Sequence, residues 1–183
     1  MKYHATPLAG LMLVETEPAT DQRGRFARLY CENEFAPLRP SMHWSQINLS
    51  QTNKRGTIRG MHFQHPPAAE AKMIRCLRGS VFDVAVDLRA GSPTFLRWHA
   101  LELHQDKPQQ IFIPEGFAHG FQALTDNIEL LYLHTVPWNR EQEGRLRYND
   151  PMLAIDWPLA ATMVSEKDRE APLLDSGFVG VRT

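Results

Sequence analysis

Cysteine is scarce in this chain of 183 residues: Cys31 and Cys76 are the two present, and neither stands in the Cys-x-x-Cys spacing of a zinc or redox site. A disulfide framework is excluded, and none is needed, because a domain of this length buries roughly 70% of the surface that its unfolded form exposes. Long apolar runs are missing as well. None approaches the ~20 residues of a membrane helix, and Met1 to Pro7 lacks the charged-then-apolar layout of a secretion signal. Nor is there an excess of charge of either sign. With 20 Lys and Arg against 21 Asp and Glu, the formal net charge is −1, which speaks against a nucleic-acid footprint or a polybasic membrane surface. Gly (11) and Pro (13) are too few for a fibrous or disordered chain. The sequence has no GxGxxG, no Walker loop, no GxSxG and no HExxH, so dinucleotide binding, nucleotide triphosphate hydrolysis and serine hydrolysis lose support. The expectation is a soluble, cytoplasmic protein of one domain spanning residues 1–183.

Helical periodicity is scarce before residue 150. Short β-type runs recur instead: Leu11–Glu15, Phe26–Cys31, Ser45–Ser50, Thr57–Gln64, Lys72–Leu77, Val81–Leu88, Phe95–Leu103, Gln110–Ile113, Gly120–Thr125 and Ile128–Thr135. Leu77-Arg78-Gly79-Ser80 and Asp126-Asn127 each read as a tight hairpin turn. Many short strands with frequent turn signals indicate an all-β, antiparallel sandwich or barrel. After Asp150 the chain becomes irregular and Pro-rich, with one short helix near Ser165. Leu153, Ile155, Trp157, Leu159, Leu173 and Leu174 make this tail too apolar to stand alone, so it should pack back on the barrel.

What the chain does have is eight histidines. Two lie in segments of note. In Gly56–Gln64, followed by Glu70 and Lys72, His62 and Gln64 share one face of a strand, because side chains alternate. In Pro114–Gly120 a turn sets His119 at the mouth of a strand. These segments resemble the two short motifs of the cupin superfamily, a β-jelly-roll (double-stranded β-helix) group. The second, Pro-x-Gly-x-x-His, matches. The first carries His62-x-Gln64 where metal-binding members have His-x-His. A metal site would have to be built from His62, His119 and Glu70 with an amide in place of an imidazole, against the usual preference for two or three imidazoles and a carboxylate. The expectation is no metal and no cofactor.

Over nearly its whole length the chain resembles the dTDP-4-dehydrorhamnose 3,5-epimerases. The matching stretches are Asp21–Phe26, Gln46–Ser50, Gly56–Gln64, Gly79–Arg89, Ser92–Phe95, Ile113–Phe121, Asp150-Pro151, Ile155–Pro158 and Ser165–Asp168. The resemblance implies a metal-free jelly roll, usually a homodimer, acting on a nucleotide-linked 4-keto-6-deoxysugar. In that chemistry the protons at C3 and C5 lie beside the C4 ketone. A base removes one to give an enolate, and an acid on the opposite face returns a proton with inversion. By resemblance His62 is the base and Asp168 orients it, Lys72 holds the developing oxyanion, and Tyr132 is the far-face acid. Arg23 and Arg59 match ligands of the diphosphate, a task for which arginine's planar fork suits well. Phe26, Gln46, Asn48, His119, Glu143 and Lys167 match other contact positions, and His134, in phase with Tyr132, is a neighbour of the site. Each role has a plainer alternative. Asp168 can close a capping box with Ser165, Tyr132 can be a core residue, and Lys72 can be a solvated strand-edge lysine.

Three positions depart from the family. Trp138 stands where a second tyrosine is usual, and indole cannot act as a general acid. Leu133 replaces a common lysine, and Arg28 replaces a frequent glutamate. The alternatives left open are inversion at C3 or C5 alone, a metal-dependent cupin, and a nucleotide-sugar binding protein without catalysis.

Overall fold

A computed structural model describes residues 1–183. Fourteen strands and two single-turn helices follow one another as β1 Lys2–Ala5, β2 Met12–Glu15, β3 Ala19–Asp21, β4 Gly24–Phe26, α1 Glu32–Phe35, β5 Gln46–Thr52, β6 Thr57–Gln64, β7 Lys72–Arg78, β8 Ser80–Asp87, β9 Trp98–His104, β10 Gln109–Ile113, β11 Phe117–Ala123, β12 Ile128–His134, β13 Glu143–Arg145, β14 Met163–Val164 and α2 Glu166–Arg169. One sheet has the order β1-β2-β10-β7-β12-β5, and the other runs β13-β6-β11-β8-β9 with β14 added to β6. Every pairing is antiparallel except that of β14 with β6. This is the antiparallel jelly roll that the strand pattern indicated, with the irregular tail after residue 150 containing the short helix α2.

Alternation along the strands sorts side chains into three apolar layers. Between the sheets, Ile74, Cys76, Ile111, Ile113, Ile128 and Leu130 of one meet Val81, Ala85, Leu103, Phe117, Phe121 and Ala123 of the other. The outer face of the first sheet offers Val14, Met73, Phe112 and Leu133, and α1 covers it with Phe35. The outer face of the second offers Met61, Phe63, Val84 and Val86 to Leu146 and to Leu153, Ile155, Leu174 and Val181 of the tail. The tail thus completes a core rather than trailing from one.

Both expected hairpins are corrected. Gly79 joins β7 to β8, and Asp126-Asn127 joins β11 to β12, yet in each case the two strands lie in different sheets. The turns are arches between sheets, because the apolar inner faces of the joined strands must close on the same core. Gly79 sits at φ +74° with Thr125 Oγ1 and Ile128 where a Cβ would be, a left-handed backbone that glycine tolerates best. The strand expected over Phe26–Cys31 is also absent beyond Phe26. Its polar groups are taken sideways instead: Gln110 Nε2 donates to the Leu29 carbonyl at 2.6 Å, and the Tyr30 hydroxyl to the Met42 carbonyl at 3.1 Å. The short elements β1, β3, β4, β13, β14 and α1 carry too few residues to show a period.

In the second sheet β6 and β11 approach each other closely. Gly60 on β6 has φ +119°, and a Cβ there would lie 2.6 Å from Gly120 Cα and 2.8 Å from the His119 carbonyl oxygen on β11. The pairing slips between His119 and Phe121 at this point, and His119 stands directly across from His62.

Candidate active site

Towards one end of the gap between the sheets the apolar filling stops and a cavity of about 260 Å³ opens. Asn48, Ser50, Lys72, Tyr132 and His134 reach it from the first sheet, and Arg59, His62, Gln64, His119, Phe121 and Glu143 from the second; Glu70 and Trp138 also line it. These dispersed sequence positions are brought to one place because β5, β12 and β7 are neighbours, as are β13, β6 and β11.

His62 Nε2 lies 2.7 Å from Asp168 Oδ1. The carboxylate is buried, with side-chain exposure of 4%, while the imidazole is open at 35%. Asp168 arrives on α2, whose first turn is capped as the Ser-x-x-Asp pattern suggests: Ser165 Oγ accepts from the Asp168 N–H at 3.2 Å. The carboxylate itself does not complete a box. It turns to His62 and takes the Gly60 N–H on Oδ2 at 3.3 Å. Burial alone would push the Asp168 carboxyl up, but the hydrogen bond and charge of His62, with the Gly60 and Ser165 contacts, hold it down at about 2.

A carboxyl lowered by folding adds stability above its ordinary value of 3.8 and loses that contribution as pH falls through the folded value of about 2. The difference is worth about 2 kcal/mol. Asp168→Asn should therefore be about 2 kcal/mol less stable than wild type near neutral pH. The two should converge between pH ~4 and ~2 in denaturant titrations, and a pH-independent difference would contradict this.

Lys72 is buried rather than solvated at an edge. Its Nζ lies 3.1 Å from Glu70 Oε1 and donates at 3.4 Å to the His62 carbonyl. Tyr132 packs between two imidazoles, edge-on to His119 at 5.8 Å and stacked on His134 at 5.9 Å. Burial pushes its phenol well above the usual range, with Asp83 adding and Arg59 opposing, so the group keeps its proton. His119 is held by both oxygens of the fully buried Asp83, at 3.0 and 2.9 Å from Nε2. The Gln64 amide is spent on the Ala68 carbonyl and the Asn139 N–H. No group of three or more His, Cys, Asp or Glu side chains converges as a metal site, so the donor set does not fit a cupin metal.

Behind His62 and Arg59 a second cleft, about 350 Å³, is lined by Arg145, Ser165, Lys167 and Asp168. Gln46 accepts the Trp138 N–H at 3.1 Å, and Trp138 is 55% exposed at the rim. Two expected site residues are not brought here. Arg23 and Phe26 lie on the β3–β4 hairpin, whose strands pair with each other alone, and they line a separate recess. Leu133 points to the outer apolar layer and Arg28 pairs with Glu34, so neither departure touches the cavity.

The sequence reading missed Arg145, which is the cross-strand partner of His62 on β13. Its Nη1 lies 2.5 Å from Asp168 Oδ1 and 2.9 Å from His62 Nε2, and its Nη2 donates to Glu143 at 2.9 Å. Nothing local marks it, since β13 is a three-residue strand. Asp83 left a trace, as the lone charge in the middle of an apolar strand.

Residues 5–176 match the family model described as dTDP-4-dehydrorhamnose 3,5-epimerase. The chain belongs to this family. It is accordingly an isomerase of epimerase type, with relatives that match it end to end. The dTDP-4-dehydrorhamnose 3,5-epimerase of Pseudomonas aeruginosa is 41% identical, covering 93% of this chain and 94% of its own. The solved structure of the same enzyme from Elizabethkingia anophelis superposes with a TM-score of 0.92 at 38% identity, over 97% of this chain and 98% of that one. The Legionella pneumophila dTDP-6-deoxy-D-glucose-3,5-epimerase, solved with dTDP-4-keto-L-rhamnose, gives 0.91 at 34% identity, over 100% and 98%.

Proposed function

We propose that this epimerase converts dTDP-4-dehydro-6-deoxy-D-glucose to dTDP-4-dehydro-L-rhamnose by inverting C3 and C5 in turn. The observation that carries the reading is a carboxylate-held imidazole on one sheet and a protonated phenol on the other, lining one cavity with a buried ammonium. His62 takes the proton at the centre beside the ketone, and the electron pair moves into the C4 carbonyl. Asp168 supports the imidazolium, Lys72 holds the oxyanion on O4, and Tyr132 returns a proton to the other face. Loss of the ring proton and gain of another balance, so no redox partner enters. Arg59 and Lys167, which border the second cleft, are assigned to the diphosphate. Asn48, Gln46, His119, Trp138 and Glu143 are assigned to the rest of the nucleotide sugar.

In this reading the protein is a cytoplasmic homodimer, and the second copy brings the β3–β4 hairpin, with Arg23 and the 78% exposed Phe26, to the site. Light scattering at the mass of one chain would remove that part. The activity itself is tested with dTDP-4-dehydro-6-deoxy-D-glucose in deuterated water. Deuterium at both C3 and C5 of the product is expected. No label at either centre overturns the reading, and label at one alone reduces it to a single inversion.

A further inference from the structure

Glu70 has no part in the proposed reaction, yet it touches one of its participants, Lys72, and the imidazole stacked on another, Tyr132. The carboxylate is buried, 8% exposed, against Lys72 at 7%. Burial would push it up, but the hydrogen bond from His134 and the charge of Lys72 bring it below the ordinary carboxylate range, so it is ionised. One oxygen lies 3.1 Å from Lys72 Nζ and the other 2.9 Å from His134 Nδ1. A lysine ammonium sits on a flexible four-carbon stem, so its position is set by what it binds. Here Glu70 is the stronger of two anchors, the other being the 3.4 Å contact to the His62 carbonyl. On its second arm Glu70 fixes the plane of the His134 ring, and that ring is stacked on Tyr132 at 5.9 Å and 12°. The phenol's orientation rests on this stacking and on the edge contact of His119.

We propose that Glu70 is a positioning residue that ties the oxyanion group to the far-face acid, so that enolate formation and inversion depend on one buried carboxylate. The inference rests on the epimerase reading. It makes a distinction that isotopes can see. If Lys72 is displaced, the enolate forms more slowly, and deuterium exchange and inversion fall together. If Tyr132 is displaced, the enolate still forms. It is then reprotonated from the face it came from by His62, which is 35% exposed and can trade its proton with solvent. The result is deuterium gained without inversion.

Glu70→Gln keeps the shape, removes the charge and leaves one donor without an acceptor. Incubated with the same nucleotide sugar in deuterated water, it should lose about tenfold or more in exchange rate, with KM little changed and the ratio of exchange to inversion raised severalfold. His134→Gln leaves Glu70 a donor but removes the ring beneath Tyr132, so the ratio should rise with exchange nearly preserved. Glu70→Asp, which keeps the charge, should recover part of the loss. An unaltered ratio in both Glu70→Gln and His134→Gln, whatever the absolute rates, would overturn the proposal, as would a Glu70→Gln enzyme of wild-type rate. Wild-type protein without exchange would instead strike at the epimerase reading.

Discussion

A His62→Asn enzyme is expected to lose exchange and inversion alike, by about 10³-fold or more, while remaining folded. Asparagine keeps a polar group that can donate to Asp168 but offers no nitrogen able to accept a proton from carbon. The loss should fall on kcat. KM is expected to stay within a few-fold, since Arg59, Lys167 and Asn48 are untouched and His62 makes no other assigned contact to substrate. Asp168→Asn should cost less, because the imidazole remains and loses its orientation and the support of its charged form. The double variant should be no worse than His62→Asn alone, as groups that act as a unit are non-additive. Circular dichroism and a thermal midpoint near wild type guard against a trivial explanation. Retention of a tenth of wild-type exchange would remove His62 from the role of base.

The largest expected effect on stability is at Gly60. Alanine there must take φ +119° and set its methyl 2.6 Å from Gly120 Cα and 2.8 Å from the His119 carbonyl. Backbone atoms cannot swing aside as a lysine tip can, so β6 and β11 must separate or the local backbone must be rebuilt. Strain from a left-handed conformation of roughly 1–2 kcal/mol adds to overpacking of roughly 1–3 kcal/mol. The sum is about 4 kcal/mol, equivalent to roughly 10 °C in the melting midpoint of a chain this size. Differential scanning calorimetry checks it. A shift under about 2 °C would mean that the two strands can part freely. Activity should fall further than stability alone explains, since His62 and His119 flank the same contact.

The central strands were legible because each is long enough to show alternation. Thr57–Gln64 coincides with β6, and Lys72, Ile74 and Cys76 alternate on one face of β7. What could not be read was which strands become neighbours. Gly79 and Asp126-Asn127 look like hairpin turns because a hairpin and an arch use the same residues, and the choice depends on a core built from the whole chain. The site divides in the same way. His62, Lys72, Tyr132, His119 and Asp168 could be named from local motifs and from resemblance. Arg145 could not, because a three-residue strand gains its meaning only when laid against β6. For Asp168 the capping reading holds only by half: Ser165 caps the helix with its hydroxyl, and the carboxylate, instead of closing the box, turns to His62. Arg23 shows the converse, since its segment matches while the fold of one chain leaves it apart.

The imidazole and the phenol hang from opposite sheets, whose backbones in such sandwiches stand about 10 Å apart. Ile74 and Leu130, which belong to the apolar layer between the sheets, therefore act as a gauge block: they set the jaw width of a calliper whose tips are that imidazole and that phenol. A ring thinner or thicker than the gap meets one tip and misses the other. Tolerance for different substrates would then be changed by trimming apolar residues that no substrate touches, and recognition becomes in part a property of packing.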